Sequence, residues 1–355
     1  MNADPLSRTA IARVDADDML GDVLQQPHQL GDALWRVQAA ELRRRDLPGG
    51  LVVCGMGGSA VGGDLAVAAI GDHASRPIRT VRGYALEPWT GPDTLVLCSS
   101  YSGDTEETLA CFEGAGALGA PRVVLTTGGQ LAEAARAERV PVIGVPAGMQ
   151  PRAAAIYMTI GALECATLCG AAPTLHAEID AAAAQLASLT ERWGPDAPGD
   201  SEAKALAQRL SGTIPVIHGA GTTVPAAVRW KTQLNENAKL AAFSSTLPEA
   251  DHNEICGWER GRELAPLSAV FLEDSDQHPR ITRRVDLTAE AAAGAGAPVE
   301  RVSSRGESGL ERVLSLLLLG DLVSVYVAAL AGTDPTPVDL LTRFKEALAE
   351  PLPEP

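Results

Sequence analysis

Short apolar runs alternate with helical periodicities along most of this chain, a pattern that predicts parallel strands joined by helical crossovers. Strand-like runs fall at 51–54, 78–81, 94–99, 122–126 and 140–145, and an Ala-rich helical stretch, 151–169, closes this half. The order returns more loosely downstream, with strands predicted at 214–218, 269–272, 283–287 and 298–303. A charged, helically periodic stretch at 17–45 reads as an N-terminal arm. A second one at 176–192, followed by the loop Gly194-Pro195-Asp196-Ala197-Pro198-Gly199-Asp200, reads as a connection between halves. The predicted fold is α/β: two tandem doubly wound domains with parallel sheets flanked by helices. Their expected bounds are 1–45 for the arm, 46–175 for the first domain, 176–200 for the connecting helix and linker, and 201–355 for the second domain with its C-terminal helices.

One stretch breaks the alternation. Residues 313–332 are apolar over the ~20 residues that cross a bilayer. Asp321 falls in the middle, flanked by Ser315 and Ser324, and Glu311-Arg312 precede it. A central carboxylate favours a helix buried inside the protein over a membrane span. A final helix is expected at 338–348, after the turn Asp334-Pro335-Thr336-Pro337.

Composition narrows the class. At 355 residues, 46% apolar and 21% charged, the chain has material for two full cores. A formal charge of −16 excludes a nucleic-acid or anionic-membrane surface, and it requires any anionic ligand to find a local positive site. Six cysteines with no CxxC pair read as buried thiols of a reducing compartment, and Met1-Asn2-Ala3-Asp4-Pro5 has no signal-peptide character. The expectation is a cytoplasmic protein.

Candidate chemistry gathers at two turns written alike. The run 51–54 enters Gly55-Met56-Gly57-Gly58-Ser59, with a helical pattern over 61–70. The run 214–218 enters Gly219-Ala220-Gly221-Thr222-Thr223, with a helical pattern over 225–242. Both turns are suited to an anion, since glycines admit close approach and a helix start favours negative charge. After the strand 94–99, Ser100-Tyr101-Ser102-Gly103-Asp104-Thr105 adds hydroxyls that could cradle a phosphate. A dinucleotide fingerprint would need a carboxylate about 20 positions on, and Ile78-Arg79-Thr80-Val81-Arg82-Gly83 has none.

Four further residues stand out. Glu236 shares a helical face with Arg229 and Gln233, away from the stripe Ala226, Trp230, Leu234, Ala238 and Ala241. Spacing alone makes that a solvated face with a Glu236–Lys239 pair. His252 lies in a polar loop and reads by itself as solvent-facing, and no metal-binding pattern surrounds it. Arg152 follows Pro151 at a helix start, where the dipole favours acids, so it makes better sense facing a ligand anion. Lys345 suits the C-terminal dipole of the last helix.

Together, Gly55-Met56-Gly57-Gly58-Ser59, Ser99 through Thr105, Pro151-Arg152-Ala153-Ala154, Asn235-Glu236-Asn237-Ala238-Lys239, Asp251-His252-Asn253-Glu254 and Phe344-Lys345 closely resemble the bifunctional phosphoglucose/phosphomannose isomerases, members of the sugar isomerase (SIS) fold group. The resemblance implies two SIS-type domains and an aldose–ketose isomerase acting on glucose 6-phosphate, with mannose 6-phosphate an open second substrate, without metal or cofactor. It implies that Gly57, Gly58, Ser59, Ser100, Ser102 and Thr105 hold the sugar phosphate. Glu236 would be the base between the first two carbons, Arg152 would steady the enediolate, and His252 and Lys345 would act in ring opening. It further implies a homodimer in which His252 reaches the partner's site. Ala60 stands where a glycine is expected, and the stretch 264–309 is longer than a compact version needs. A non-catalytic sugar-phosphate sensor on the same fold is the rival reading, against which stand the retained Glu236 and His252.

Overall fold

A computed structural model describes residues 4–348; residues 1–3 and 349–355, the outer tips of the expected arm and second domain, lie outside the described residues. Short α1 (Arg8–Ile11), α2 (Met19–Leu24) and α3 (Gln26–Ala39) form the arm. The first domain follows as β1 (Gly50–Cys54), α4 (Gly57–Ile70), β2 (Ile78–Val81), β3 (Thr94–Ser99), α5 (Glu106–Ala117), β4 (Arg122–Thr126), α6 (Gly129–Glu138), β5 (Val142–Gly144) and α7 (Ala155–Leu168). Its five strands are all parallel, in the order β2-β1-β3-β4-β5. Every residue of β1 and β3 is buried, as expected of central strands covered on both faces.

After α8 (His176–Trp193) and α9 (Glu202–Leu210), the second domain runs β6 (Ile214–Ala220), α10 (Val224–Glu236), β7 (Phe243–Leu247), α11 (Trp258–Leu264), β8 (Leu267–Glu273), α12 (Pro279–Gly294), β9 (Val299–Ser303), α13 (Gly309–Leu330) and α14 (Asp339–Leu348). Its parallel sheet has the order β7-β6-β8-β9. That is the order of the first sheet without its fifth strand. Two expectations fail here. Residues 283–287 lie inside α12, whose buried Val285, Thr288, Ala289 and Ala292 follow a helical spacing. β7, at the sheet edge, carries a mixed pattern and gave no strand signal.

The apolar helix α13 is a core helix. It packs against α8, α9, α10 and α4, with a Ser308/Glu311 capping box at its start. Its Asp321 accepts two hydrogen bonds from Arg229 of α10, both at 3.0 Å, and one from Gln26 Nε2 at 2.7 Å. One face of α10 therefore meets a charge rather than solvent.

Candidate active site

The first Gly-rich turn forms where β1 hands the chain to α4. Gly57 takes φ +50°, a left-handed backbone that glycine adopts without penalty. No side chain caps α4, so its first N–H groups are open to a ligand. β3 is bonded alongside β1, which brings the hydroxyl loop against this turn, and Tyr101 N–H donates to Ser59 Oγ at 3.3 Å. The Ser100 and Thr105 hydroxyls bond each other at 2.9 Å. Ser100 Oγ also accepts from Gly103 N–H, and Ser102 Oγ from Asp104 N–H. The turn also abuts Arg152: a Cβ on Gly58 would stand 3.2 Å from Pro151 O and 3.3 Å from Arg152 Cα.

Arg152, in the short turn Pro151–Ala154, is almost wholly buried. Its Nε donates to Asn237 Oδ1 at 2.7 Å, and Nη2 donates to Pro335 O at 2.7 Å and Thr336 O at 2.8 Å. These acceptors are neutral, so they orient the guanidinium without cancelling its charge. Burial pushes the Arg152 pKa down, opposed by the nearby Glu236 carboxylate. Nη1 faces Glu236 Oε2 at 3.7 Å, a charge pair too long for a tight hydrogen bond. Arg229, fixed by Asp321, donates to Arg152 O at 2.6 Å and holds the turn from behind.

The structure corrects the reading of α10. Arg229 and Gln233 are buried, so the face that carries Glu236 is internal; Glu236 itself is one-third exposed. The helix ends at Glu236 rather than at 242, because Lys239 takes φ +52° and turns the chain. Ala241, expected in the apolar stripe, is exposed beyond the helix end. No Glu236–Lys239 side-chain pair forms among the described residues. Lys239 Nζ instead donates to the carbonyls of Glu236 at 2.8 Å, Asp334 at 2.9 Å and Pro335 at 3.1 Å. The sequence brings out Arg229, Lys239 and Asp321 singly; what spacing did not show is that, with Asn237, they jointly support Arg152 and Glu236. The available signal was a lone carboxylate in an apolar helix and a lone arginine on a helix face, each a mismatch until paired.

Neither His252 nor Lys345 makes a hydrogen bond or ion pair to this cluster among the described residues. His252 is exposed in the short turn Glu249–His252 that follows β7, and Lys345 lies on α14, which buries no residue. β7 is parallel to β6, and α10 runs back between them, so His252 lies beyond the start of α10 and Glu236 at its end. Thirteen residues separate those ends by roughly 18 Å at ~1.5 Å per residue.

The second Gly turn repeats the backbone of the first, with Gly221 at φ +53°. Its hydroxyls are already committed. Thr222 Oγ1 donates to Asp274 Oδ2 at 2.8 Å, and Thr223 Oγ1 bonds to Ala220 and to Leu272 O. Asp274 is buried and paired with Arg312 at 2.8 Å. The chain supplies its own anion here.

Comparison with known proteins places these features in a family. Residues 199–348 match the family described as the bacterial phospho-glucose isomerase C-terminal SIS domain. A bifunctional phosphoglucose/phosphomannose isomerase of Caldicellulosiruptor bescii is 39% identical over 303 residues, covering 84% of this chain and 89% of the relative. A D-glucosamine-6-phosphate 4-epimerase of Sulfolobus acidocaldarius is 30% identical, covering 88% and 95%. The tagatose-6-phosphate ketose/aldose isomerase of Escherichia coli shares the fold, with a TM-score of 0.65 at 16% identity over 90% of this chain and 95% of that one.

Proposed function

The chain belongs to the bifunctional phosphoglucose/phosphomannose isomerase family, and from that premise we propose a route by which it interconverts glucose 6-phosphate and mannose 6-phosphate with fructose 6-phosphate. The observation that carries the reading is the 3.7 Å pairing of a half-open carboxylate with a buried guanidinium beside an uncapped helix start.

The phosphate is held by the N–H groups at Gly57 and Gly58 and by the hydroxyls of Ser59, Ser100, Ser102 and Thr105. Neutral donors and a helix start explain how a chain of charge −16 takes a dianion. Glu236 removes the proton from C2 of the aldose and returns it to C1, and both C2 epimers lead to one enediolate. Arg152 Nη1, its other donors engaged, faces the developing oxyanion. His252 opens the ring. Its position about a helix length from Glu236 in its own chain supports delivery from a second copy, and hence a homodimer. Lys345 is assigned to the same step. Six free cysteines support a cytoplasmic setting.

The test is product analysis by NMR with glucose 6-phosphate and mannose 6-phosphate in D2O. Fructose 6-phosphate from both, with deuterium at C2 of recovered aldose, is expected. A product altered at C4, the chemistry of the epimerase relative, would replace this reading. Absence of turnover would revive the sensor.

A further inference from the structure

A cavity of about 430 Å3 opens at the other edge of the first sheet, among the N-terminal ends of its strands. Its floor is apolar, with Leu47, Leu95 and Val123 among the lining residues. Four arginines line it, Arg43, Arg45, Arg122 and Arg139, against a single carboxylate, Glu41. In a chain of charge −16, such a local excess of positive charge runs against the overall field.

The arginines differ in their commitments. Arg122 is engaged, stacked 4.3 Å over Phe112 and donating to Phe112 O at 3.1 Å and to Glu138 at 2.5 Å. Arg43, Arg45 and Arg139 have no ion pair among the described residues. The wall that carries them is fixed: Arg45 N–H donates to Leu168 O at 2.9 Å, and Leu47 N–H to Cys169 O at 3.2 Å. Glu41 at φ +48° and Arg139 at +57° line this cavity where α3 and α6 stop in a left-handed turn, which fixes the cavity rim at two helix C-termini.

We propose that this cavity binds a nucleoside diphosphate, with the pyrophosphate on the arginine forks and the flat base on the apolar floor. Arginine presents donors in a planar fork that matches phosphate oxygens in pairs. An apolar floor with convergent polar groups at its rim is the usual build of a small-molecule site. The site is separate from the sugar-phosphate turn: β3 spans from Leu95 at the cavity to Ser99 at the hydroxyl loop, roughly 13 Å at ~3.3 Å per residue.

The experiment is isothermal titration of the full chain with ADP, pyrophosphate and adenosine at millimolar ligand, on wild type and on R43E/R139E. ADP is expected to bind, more tightly than pyrophosphate, and adenosine not at all. The double substitution should weaken ADP by at least about tenfold, with the melt and the isomerisation rate near wild type. R43Q/R139Q serves if charge reversal prevents folding. Absence of ADP binding overturns the proposal. So does binding that the substitutions leave unchanged, or that sugar phosphate displaces competitively. A lowered melt with no ADP effect also overturns it, leaving the arginines to serve the C-terminal carbonyls of α6 and α7.

Discussion

The two strand–turn–helix units of this chain share a backbone and differ in what meets it. Gly57 and Gly221 sit at φ +50° and +53°, each followed by a helix whose preceding strand pairs on both sides. In the first sheet the neighbouring strand, β3, ends in the hydroxyl loop Ser100 to Thr105. In the second, the equivalent strand β8 ends in Glu273-Asp274, and Asp274 takes the bond that an external anion would take. One unit is open to a ligand and the other is closed by the protein's own carboxylate. A Gly-rich turn before a helix is therefore an offer of anion binding, and the adjacent strand end decides whether the offer is already met. The second unit's contribution lies at the far end of its helix, where Glu236 meets Arg152 of the first domain.

The most severe break in that division of labour is Glu236→Gln. On the proposed route, removal of the base should lower turnover by about 10²–10⁴-fold, with KM nearly unchanged because that route places the phosphate on the other domain. Steady-state kinetics beside a thermal melt decide it; a rate within a few-fold of wild type would return Glu236 to a structural role. Next in size is Asp274→Ala, which strips the internal anion from the second turn, orphans the Thr222 hydroxyl and leaves Arg312 with Asp276 as its remaining carboxylate. Loss of about 1–3 kcal/mol in stability is expected, read by denaturant unfolding, with KM for sugar phosphate unmoved. A raised KM would show that the second turn also takes substrate.

The third test concerns the residue just before each turn. Cys54 and His218 occupy equivalent positions; against the opposing hydrogen bond with Cys111, that with Cys98 together with burial raises the thiol's pKa, whereas burial pushes the imidazole's down to about 4. His218 stacks on Phe271 at 4.6 Å, and neither ring nitrogen has a hydrogen-bond partner. Its folded pKa lies below the unfolded ~6.5, so the unfolded chain binds the proton first. The stability of neutral His218 is present above that value and lost as pH falls toward 4, by up to roughly 3 kcal/mol. His218→Phe should flatten that part of the stability–pH curve, and an unchanged slope would assign the acid loss elsewhere. The smallest effects belong to the open turn itself. Ser100→Ala or Thr105→Ala should cost roughly 1.5–3 kcal/mol in kcat/KM for the phosphorylated sugar, with a modest fall in the melt because these hydroxyls also bond each other and Ser100 Oγ accepts from Gly103 N–H. Equal losses on a non-phosphorylated sugar would remove these hydroxyls from the phosphate.

Much of the first domain was legible because its central strands are buried on both faces: β1, β3 and β4 fall where apolar runs predict them. The second domain was less so, for physical reasons. β7 is an edge strand with one side to solvent, so Phe243-Ser244-Ser245-Thr246-Leu247 carries no clear period. The α12 segment around Val285 was read at period 2 over Val285 and Leu287, where the longer spacing Val285, Thr288, Ala289 and Ala292 is that of a helix. At the site, the resemblance to a known family brought Arg152 and Glu236 forward as partners, and the structure sets them 3.7 Å apart. Periodicity alone misread the face of α10, because hydropathy cannot distinguish an arginine facing water from one facing a buried aspartate.

That aspartate bears on how the chain is made. During synthesis α13 emerges as a stretch apolar enough to be taken for a membrane segment. A carboxylate at its centre opposes insertion by about 2.5–3.5 kcal/mol, so the residue that anchors α13 inside the protein also weighs against its entering a bilayer. Its counter-ion, Arg229, lies earlier in the sequence and has already left the ribosome, as has Gln26. Both partners of Asp321 thus precede α13 in the order of synthesis.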